Sequence, residues 1–476
     1  MTEAASSPAA HWSFARRRLL QGAAAAVAMP WLSGCAEVRR LPHSPVYGPL
    51  EPVADESTGL PLLQLPKGFR YWSFGWTGDP MDDGAPTPPM HDGMAVVVHD
   101  TERLVLVRNH ELGSGRGAFA PRAPVYDPRC GGGTTTLSFA PGKAQWLGSR
   151  ASLCGTSRNC AGGPTPWGTW LTCEESSDGP HNGHLKPHGF VFEVPAEGPA
   201  SAEPLTGLGA FVHEAVAVDP ATGIVYETED ATPSGFYRFV PKVPGKLREG
   251  GRLQMMKLQA EANATLQLDG RRQQVFDTGV GFANGTRWSV QWVDIEEPTR
   301  QFISGTTEGG VSAQGFAQGA SIVRRGEGCW YGNGRIFFTS TSGGAARQGQ
   351  IFAYDPRNET LTLLFESPSK EVLNNSDNIA WSPRGGLAIC EDGDVIPQRL
   401  RGLNTRGEVF PFLANNMDLS PSGLGPLRRP SGKVFGSDYR GSELAGATFH
   451  GDWLFFNIQS PGVTFAVTGP WGEGGL

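Results

Sequence analysis

One unit recurs along this chain: a short apolar strand, a turn made by Asp-Pro, Ser-Pro or Gly, and a second short strand. Ala215 to Gly223 leads into Ile224 to Asp230, and Asn378 to Gly386 leads into Leu387 to Asp392. Ile351 to Pro356 repeats the opening half, and Gly446 to Asp452 leads into Trp453 to Asn457. Each reads as a hairpin whose turn residues supply the backbone angles that reverse the chain. Repeated hairpins of this kind build the blades of a β-propeller. A β-sandwich also has short strands, but it less naturally repeats one hairpin along the chain. The expected fold is therefore all-β, a six-bladed β-propeller.

Composition agrees. Glycine (65) and proline (38) make up more than a fifth of the 476 residues, which favours turns over long helices. Thirteen Trp and 25 Phe supply core material and exclude a disordered chain. The net charge is −7 and no basic cluster or recognition motif follows the N-terminus, which argues against nucleic acid as a partner.

The first 34 residues read as an address. Arg16, Arg17 and Arg18 precede Leu19-Leu20 and an apolar run from Gly22 to Leu32, too short to span a bilayer. The arginine pair before Leu-Leu resembles a twin-arginine signal, which exports folded proteins. Leu32-Ser33-Gly34-Cys35 looks like a bacterial lipoprotein cleavage box, with Cys35 the lipidated first residue. Residues 35–66 are Pro-rich and read as a spacer, and 67–476 as the propeller. A lipid on Cys35 is the expected membrane contact, and a monomer the expected state. Six further cysteines remain, at 130, 154, 160, 173, 329 and 390. Export permits disulfides, but six cysteines allow 15 connectivities and the sequence does not choose among them.

Three strands end in paired acids: Glu174-Glu175, Glu229-Asp230 and Glu391-Asp392. Equivalent strand ends in a ring of blades lie near one another, and carboxylates gathered there repel unless a cation neutralises them. Four stretches carry further chemistry: Arg108-Asn109-His110-Glu111, Asn159-Cys160 through Glu175, His213-Glu214-Ala215, and Arg324-Arg325-Gly326-Glu327-Gly328. Carboxylates suit calcium and ferric iron, whereas a thiolate is a poor calcium ligand, so a site joining Cys160 to glutamates needs a transition metal. Arg325, two residues before Glu327, shares its face on a strand and could hold an anion, since its planar fork donates two parallel hydrogen bonds. His181, His184 and His188 are spaced as on one helix face, but Gly183 and Pro187 oppose a helix, so they read as loop residues. Cys173 and Cys390 read as core thiols.

The stretch Asn159-Cys-Ala-Gly-Gly-Pro-Thr-Pro-Trp-Gly-Thr-Trp-Leu-Thr-Cys-Glu-Glu175 resembles the PhoX alkaline phosphatase family. So do Asn109-His110-Glu111, His213-Glu214-Ala215, Arg325-Gly-Glu327-Gly328, Ser376-Asp377-Asn378, Cys390-Glu391-Asp392 and the tail from Phe456 to Trp471. The similarity runs from about residue 90 to residue 471. It implies a six-bladed propeller, twin-arginine export, and hydrolysis of small phosphomonoesters at an iron–calcium centre. It places iron on Cys160, Glu214 and Glu327, further metal ligation on Glu111, Glu174 and Asp377, and the phosphate contact on Arg325. Glu391, Asp392 and Glu229 are added from the strand-end argument. A calcium-dependent lactonase-like propeller, or a non-catalytic propeller stabilised by calcium, is the alternative, and neither needs Cys160 or Arg325.

Overall fold

The computed structural model describes residues 42–120, 122–268, 270–302, 309–427, 434–472 and 475–476. The twin-arginine segment and Cys35 lie outside the described residues.

Six blades of antiparallel strands surround a central channel. Blade I is His91–His99, Leu104–His110, Gly132–Ala140 and Gln145–Thr156. Blade II is Asn159–Pro164, Thr169–Glu174 and Val191–Pro195. Blade III is His213–Val218, Val225–Glu229, Phe236–Pro241 and Gly251–Leu258. Blade IV is Gly326–Gly332, Arg335–Ser340, Gln350–Asp355 and Thr360–Glu366. Blade V is Ser376–Trp381, Leu387–Glu391, Arg399–Leu403 and Val409–Asn415. Blade VI is Leu444–His450, Trp453–Ile458 and Val463–Thr468, completed by Arg70–Phe74 from the start of the chain. The first strand of each blade is the innermost, and these six strands neighbour one another in order until blade VI meets blade I. The strand Arg287–Ile295 joins the outer edges of blades III and IV.

The hairpins picked out by sequence are the inner pairs of blades III, V and VI, and Ile351–Asp355 lies in the third strand of blade IV. Their burial at nearly every position fits a sheet packed on both faces by neighbouring blades. Small residues permit the close approach of the inner strands. A Cβ on Gly93 would sit 2.5 Å from Ala161 Cα, and one on Gly328 2.5 Å from the Asp377 carbonyl oxygen.

The segment expected as a spacer is in part structured. Leu50–Val53 and Leu63–Pro66 pair with each other, and the latter pairs with the outer strand of blade V. Leu63 and Leu65 are fully buried, so the Leu-Gln-Leu alternation drives this strand onto the sheet. The propeller therefore does not begin at residue 67. Tyr71, in the closing strand of blade VI, fastens this segment: its hydroxyl accepts from Leu62 N (2.8 Å) and Leu63 N (3.2 Å) and donates to Val53 O (2.8 Å). All six cysteines from Cys130 onward are free, and Cys173 and Cys390 are buried core thiols.

Tyr71→Phe keeps the ring but removes the shared acceptor of Leu63 N and Leu62 N, of which Leu62 N keeps the Leu60 carbonyl (2.9 Å), and takes the hydroxyl donor from Val53 O. It should cost about 1–3 kcal/mol in denaturant unfolding. An unchanged midpoint would mean that the hydroxyl does not secure the N-terminal segment.

Candidate metal centre

The site is assembled by one local device repeated around the ring. The first inner-strand residue pairs with the last residue of the second strand: His91 with His110, Asn159 with Glu174, His213 with Glu229, Gly326 with Ser340, Ser376 with Glu391, and Leu444 with Ile458. In blades I to V the register then shifts at once, three residues on the inner strand spanning two on its partner. A β-bulge of this kind breaks the pleat and re-aims a side chain. The residues in the bulge are Asp92, Cys160, Glu214, Glu327 and Asp377, each followed by Gly, Ala or Asn. In blade VI the shift comes one residue later, and the equivalent position is Ala445, which has no ligand atom.

A second tier follows the second strands. Glu111, Glu175, Asp230, Thr341, Asp392 and Gln459 each donate a backbone N–H to the residue two places before the bulge position. Those acceptors are the carbonyls of Met90, Arg158, Val212, Arg325, Asn375 and Glu443, at 2.9–3.2 Å. Met90, Arg158, Arg325 and Asn375 all adopt left-handed backbone with φ of 51–55°. Such angles are unfavourable for residues with a Cβ and persist where the surroundings over-determine them.

Three groups of ligand atoms result, each with its members within 4.8 Å of one another: Asp92, Glu111 and Cys160; Cys160, Glu175 and Glu214; and Glu214, Glu327 and Asp377. The chain of groups runs through Cys160 and Glu214, which are each shared by two. Burial raises the pKa of Glu175 to about 8, with Arg158 opposing and Glu111 and Asp230 reinforcing the rise. Burial raises Asp377 to about 7, reinforced by Asp392. Asp92, Glu214, Glu327 and Glu443 are driven up in the same way, by burial first and then by neighbouring acids. Glu214 Oε2 and Asp377 Oδ1 are buried with no hydrogen-bond partner. Gathered acids with orphaned oxygens and a thiol fit metal cations.

Two arginines interrupt the acids. Arg325 Nε and Nη2 reach Asp230 Oδ1 (2.8 Å) and Oδ2 (3.2 Å), and Nη2 also reaches Glu327 Oε1 (2.5 Å). Arg158 Nη2 bridges Glu111 Oε1 (3.0 Å) and Glu175 Oε2 (2.6 Å). Both side chains stay partly exposed, at 38 % and 47 %. Gln459 Nε2 donates to Asp92, Glu111 and Glu443 at 2.6–3.0 Å.

Five of the seven expected metal ligands thus come together: Cys160, Glu214, Glu327, Glu111 and Asp377. Glu174 and Glu391 do not. Glu174 accepts from Ser157 N, Gly189 N and Phe190 N and pairs with His188 Nδ1, all inside blade II. Glu391 is held by Arg399, Arg401 and Asn374 N. Glu229, likewise, accepts from Tyr237 Oη and Gly235 N. In each acidic pair the first acid anchors its own blade and the second lies at the channel, because consecutive side chains on a strand point to opposite faces. Asp92, Glu175, Asp230, Glu443 and Arg158 were not assigned from sequence. Arg158-Asn-Cys160 does repeat the spacing of Arg325-Gly-Glu327, a signal present but not used.

Asn109 explains much of the longest motif. Its Nδ2 donates to the carbonyls of Cys160 (3.1 Å) and Ala161 (2.7 Å), while its Oδ1 accepts from Trp170 Nε1 (2.9 Å) and Thr172 Oγ1 (2.8 Å). One fully used amide locks the Cys160 bulge of blade II against blade I.

A six-bladed propeller whose channel carries a continuous run of metal-ligating side chains beside two arginines is the framework of a metal-dependent hydrolase. The alkaline phosphatase PhoX family model matches residues 46–152 and 143–462, and the chain belongs to that family. It is a metal-dependent phosphatase that hydrolyses phosphomonoesters. Among solved structures it is similar to PhoX of Pseudomonas fluorescens in complex with vanadate, a transition-state analogue. That match has 18 % identity and a TM-score of 0.61, and covers 88 % of this chain and 98 % of that one. A gluconolactonase, XC5397 of Xanthomonas campestris, matches at 11 % identity and a TM-score of 0.38, with 90 % and 99 % covered. The PQQ-bound aldose sugar dehydrogenase of Streptomyces coelicolor matches at 11 % and 0.34, with 73 % and 86 % covered. The last two are too distant to bear on function. No curated protein sequence matches the chain.

The acids have a consequence that can be measured on metal-free protein. Their folded pKa values lie above the unfolded values of about 3.9 for Asp and 4.3 for Glu. The folded state therefore binds more protons than the unfolded one, and stability falls as pH rises, up to about 8 where Glu175 ionises. Stripped protein should melt at a higher temperature at pH 5 than at pH 8, and restoring metal should remove the difference. Equal melting temperatures without metal would refute crowding of the acids.

Proposed function

We propose that the enzyme hydrolyses small phosphomonoesters at an iron–calcium centre, outside the cytoplasm. The observation that carries the choice of metals is the lone thiol, Cys160, shared by two of the three ligand groups. A thiolate is a poor calcium ligand and calls for a transition metal. Iron would be held by Cys160, Glu175, Glu214, Glu327 and Asp377. Asp92 and Glu111, which share a group with Cys160, and the neighbouring acids Asp392 and Glu443 offer oxygen donors that suit calcium. Bound there, the metals would supply Lewis acidity toward the phosphoryl group. The complex of the Pseudomonas fluorescens relative with vanadate, a transition-state analogue, supports a phosphoryl-transfer reading.

The chain's own residues would orient the substrate. Asp230 fixes the Arg325 guanidinium by two hydrogen bonds, and Glu327 shares its Nη2. Its partly exposed fork can then donate to a phosphate oxygen without reorganising as charge develops. Arg158 balances Glu111 and Glu175 and keeps both carboxylates in place. Export by residues 1–34, a lipid on Cys35 and a monomeric state complete the reading. Mapping the mature N-terminus and its lipid tests the first two.

Three substitutions separate the roles. Cys160→Ser should lose iron, and Glu327→Gln should lose metal because a neutral amide is the weaker ligand. Arg325→Lys should keep its metals while turnover falls on the order of 10²-fold, since lysine lacks the fork. Metal analysis beside hydrolysis of a generic phosphomonoester reads the pattern. A Cys160→Ser enzyme that retained iron and full turnover would falsify the assignment, and calcium alone in the wild type would favour a lactonase-like or non-catalytic propeller.

A further inference from the structure

A second cluster of soft and nitrogen donors lies outside the channel. Cys130 stands in the loop before the third strand of blade I, and His184 and His188 in the loop before the last strand of blade II. The Cys130 Sγ and one nitrogen of each histidine lie within 4.8 Å of one another, and all three residues are buried.

The hydrogen bonds fix which nitrogen of each ring is taken by a loop partner and which is left for a metal. His188 Nδ1 is 2.6 Å from Glu174 Oε1. A carboxylate oxygen accepts, so Nδ1 carries a proton; burial opposes a charged ring, but Cys130 and Glu174 outweigh it and raise the pKa to about 10, so a metal would displace the Nε2 proton. That Nε2 lies 3.5 Å from Cys130 Sγ and 3.5 Å from Asp127 Oδ2. His184 Nδ1 is 2.9 Å from Asn182 Oδ1, whose amide is oriented by donating from Nδ2 to Asp178 and accepting from Gly179 N. His184 therefore also presents Nε2, which is buried without a hydrogen-bond partner and lies 3.6 Å from Asp178 Oδ2. His184 is 7 % exposed.

We propose that Cys130, His184 and His188 bind a zinc ion distinct from the catalytic metals, with Asp127 or water completing a tetrahedron. A zinc ion with bonds of about 2.3 Å to sulfur and about 2.05 Å to nitrogen sets those two ligands about 3.6 Å apart in a tetrahedron. The Cys130–His188 separation already matches. Glu174 on His188 is the carboxylate partner that zinc-bound histidines use to fix their tautomer. This gives Glu174 a role near metal, though not in the channel where sequence placed it. The ion would staple the long loops of blades I and II together. It would also tie down Glu174, whose neighbour Glu175 is a channel ligand, so it would be a structural zinc that positions the catalytic cluster.

The test uses full-length protein in a Cys160→Ser background, which removes the channel thiol, with Co²⁺ and Zn²⁺ as probes. Co²⁺ should give a thiolate charge-transfer absorption that Zn²⁺ displaces. Cys130→Ser should abolish that absorption and remove one zinc per chain. His184→Gln should weaken zinc binding more than about 100-fold, since outer partners alone are worth about 10–100-fold. Because misfolding could mimic these losses, a second measurement uses the otherwise unmodified wild type: zinc should protect Cys130 from alkylation, located by peptide mapping. Zinc content and cobalt absorption unchanged by both substitutions, or a Cys130 alkylated equally fast with and without zinc, would overturn the proposal. None of these readouts depends on phosphatase activity.

Discussion

Among the described residues, nine carboxylates and a thiol meet at one channel with two guanidinium groups among them, and the fold must hold them there against their own repulsion. Two like charges about 5 Å apart repel by about 3 kcal/mol at an effective dielectric of 20. Shared over Asp92, Glu111, Glu175, Glu214, Asp230, Glu327, Asp377, Asp392 and Glu443, that repulsion would open a loosely built site. The propeller resists it because every ligand sits on or beside an innermost strand, and each inner strand is packed between two others. The bulges aim the side chains inward, the six equivalent N–H···O=C bonds hold the second tier, and strand Arg70–Phe74 closes the ring. Cations then convert the arrangement from an electrostatic burden into a binding site.

The repeat is not perfect, and its exceptions shape the chemistry. Blade VI has Ala445 at the bulge position and Gln459 just after its second strand, and blade IV has Thr341 where others carry an acid. These gaps make the channel asymmetric. Arg325 rises beside Thr341, where no second-tier acid of blade IV competes for it. Gln459 donates to three acids at once, which a carboxylate could not do.

Much of this was readable from the chain. Asp-Pro and Gly turns between apolar runs announce hairpins, and the motif around Cys160 and Trp170 announces the family. The acidic pairs announced metal. What they concealed was which acid of each pair faces the channel. Glu174 and Glu175 are adjacent carboxylates of one chemistry, and only the phase of the strand relative to the ring separates them. Asp92 gave no pattern of its own, since Asp-Gly is also ordinary turn chemistry, and its role comes from a bulge that places it beside Glu111 and Cys160. The Pro-rich segment before residue 66 reads as a spacer because its two strands are only four residues long and the blade they join, through Leu63–Pro66, lies some 350 residues away.

The sequence by itself determined the architecture and the chemical inventory: one turn-bounded hairpin repeated along the chain buries its surface by stacking as blades, and the motif around Cys160 and the acidic pairs supply the metal-ligating side chains. The tertiary structure alone decided the membership of the site. Residues 92, 111, 160, 175, 214, 327 and 377 are brought within ligand distance by ring closure and register. Both depend on which strand packs beside which, a property no local stretch of sequence carries.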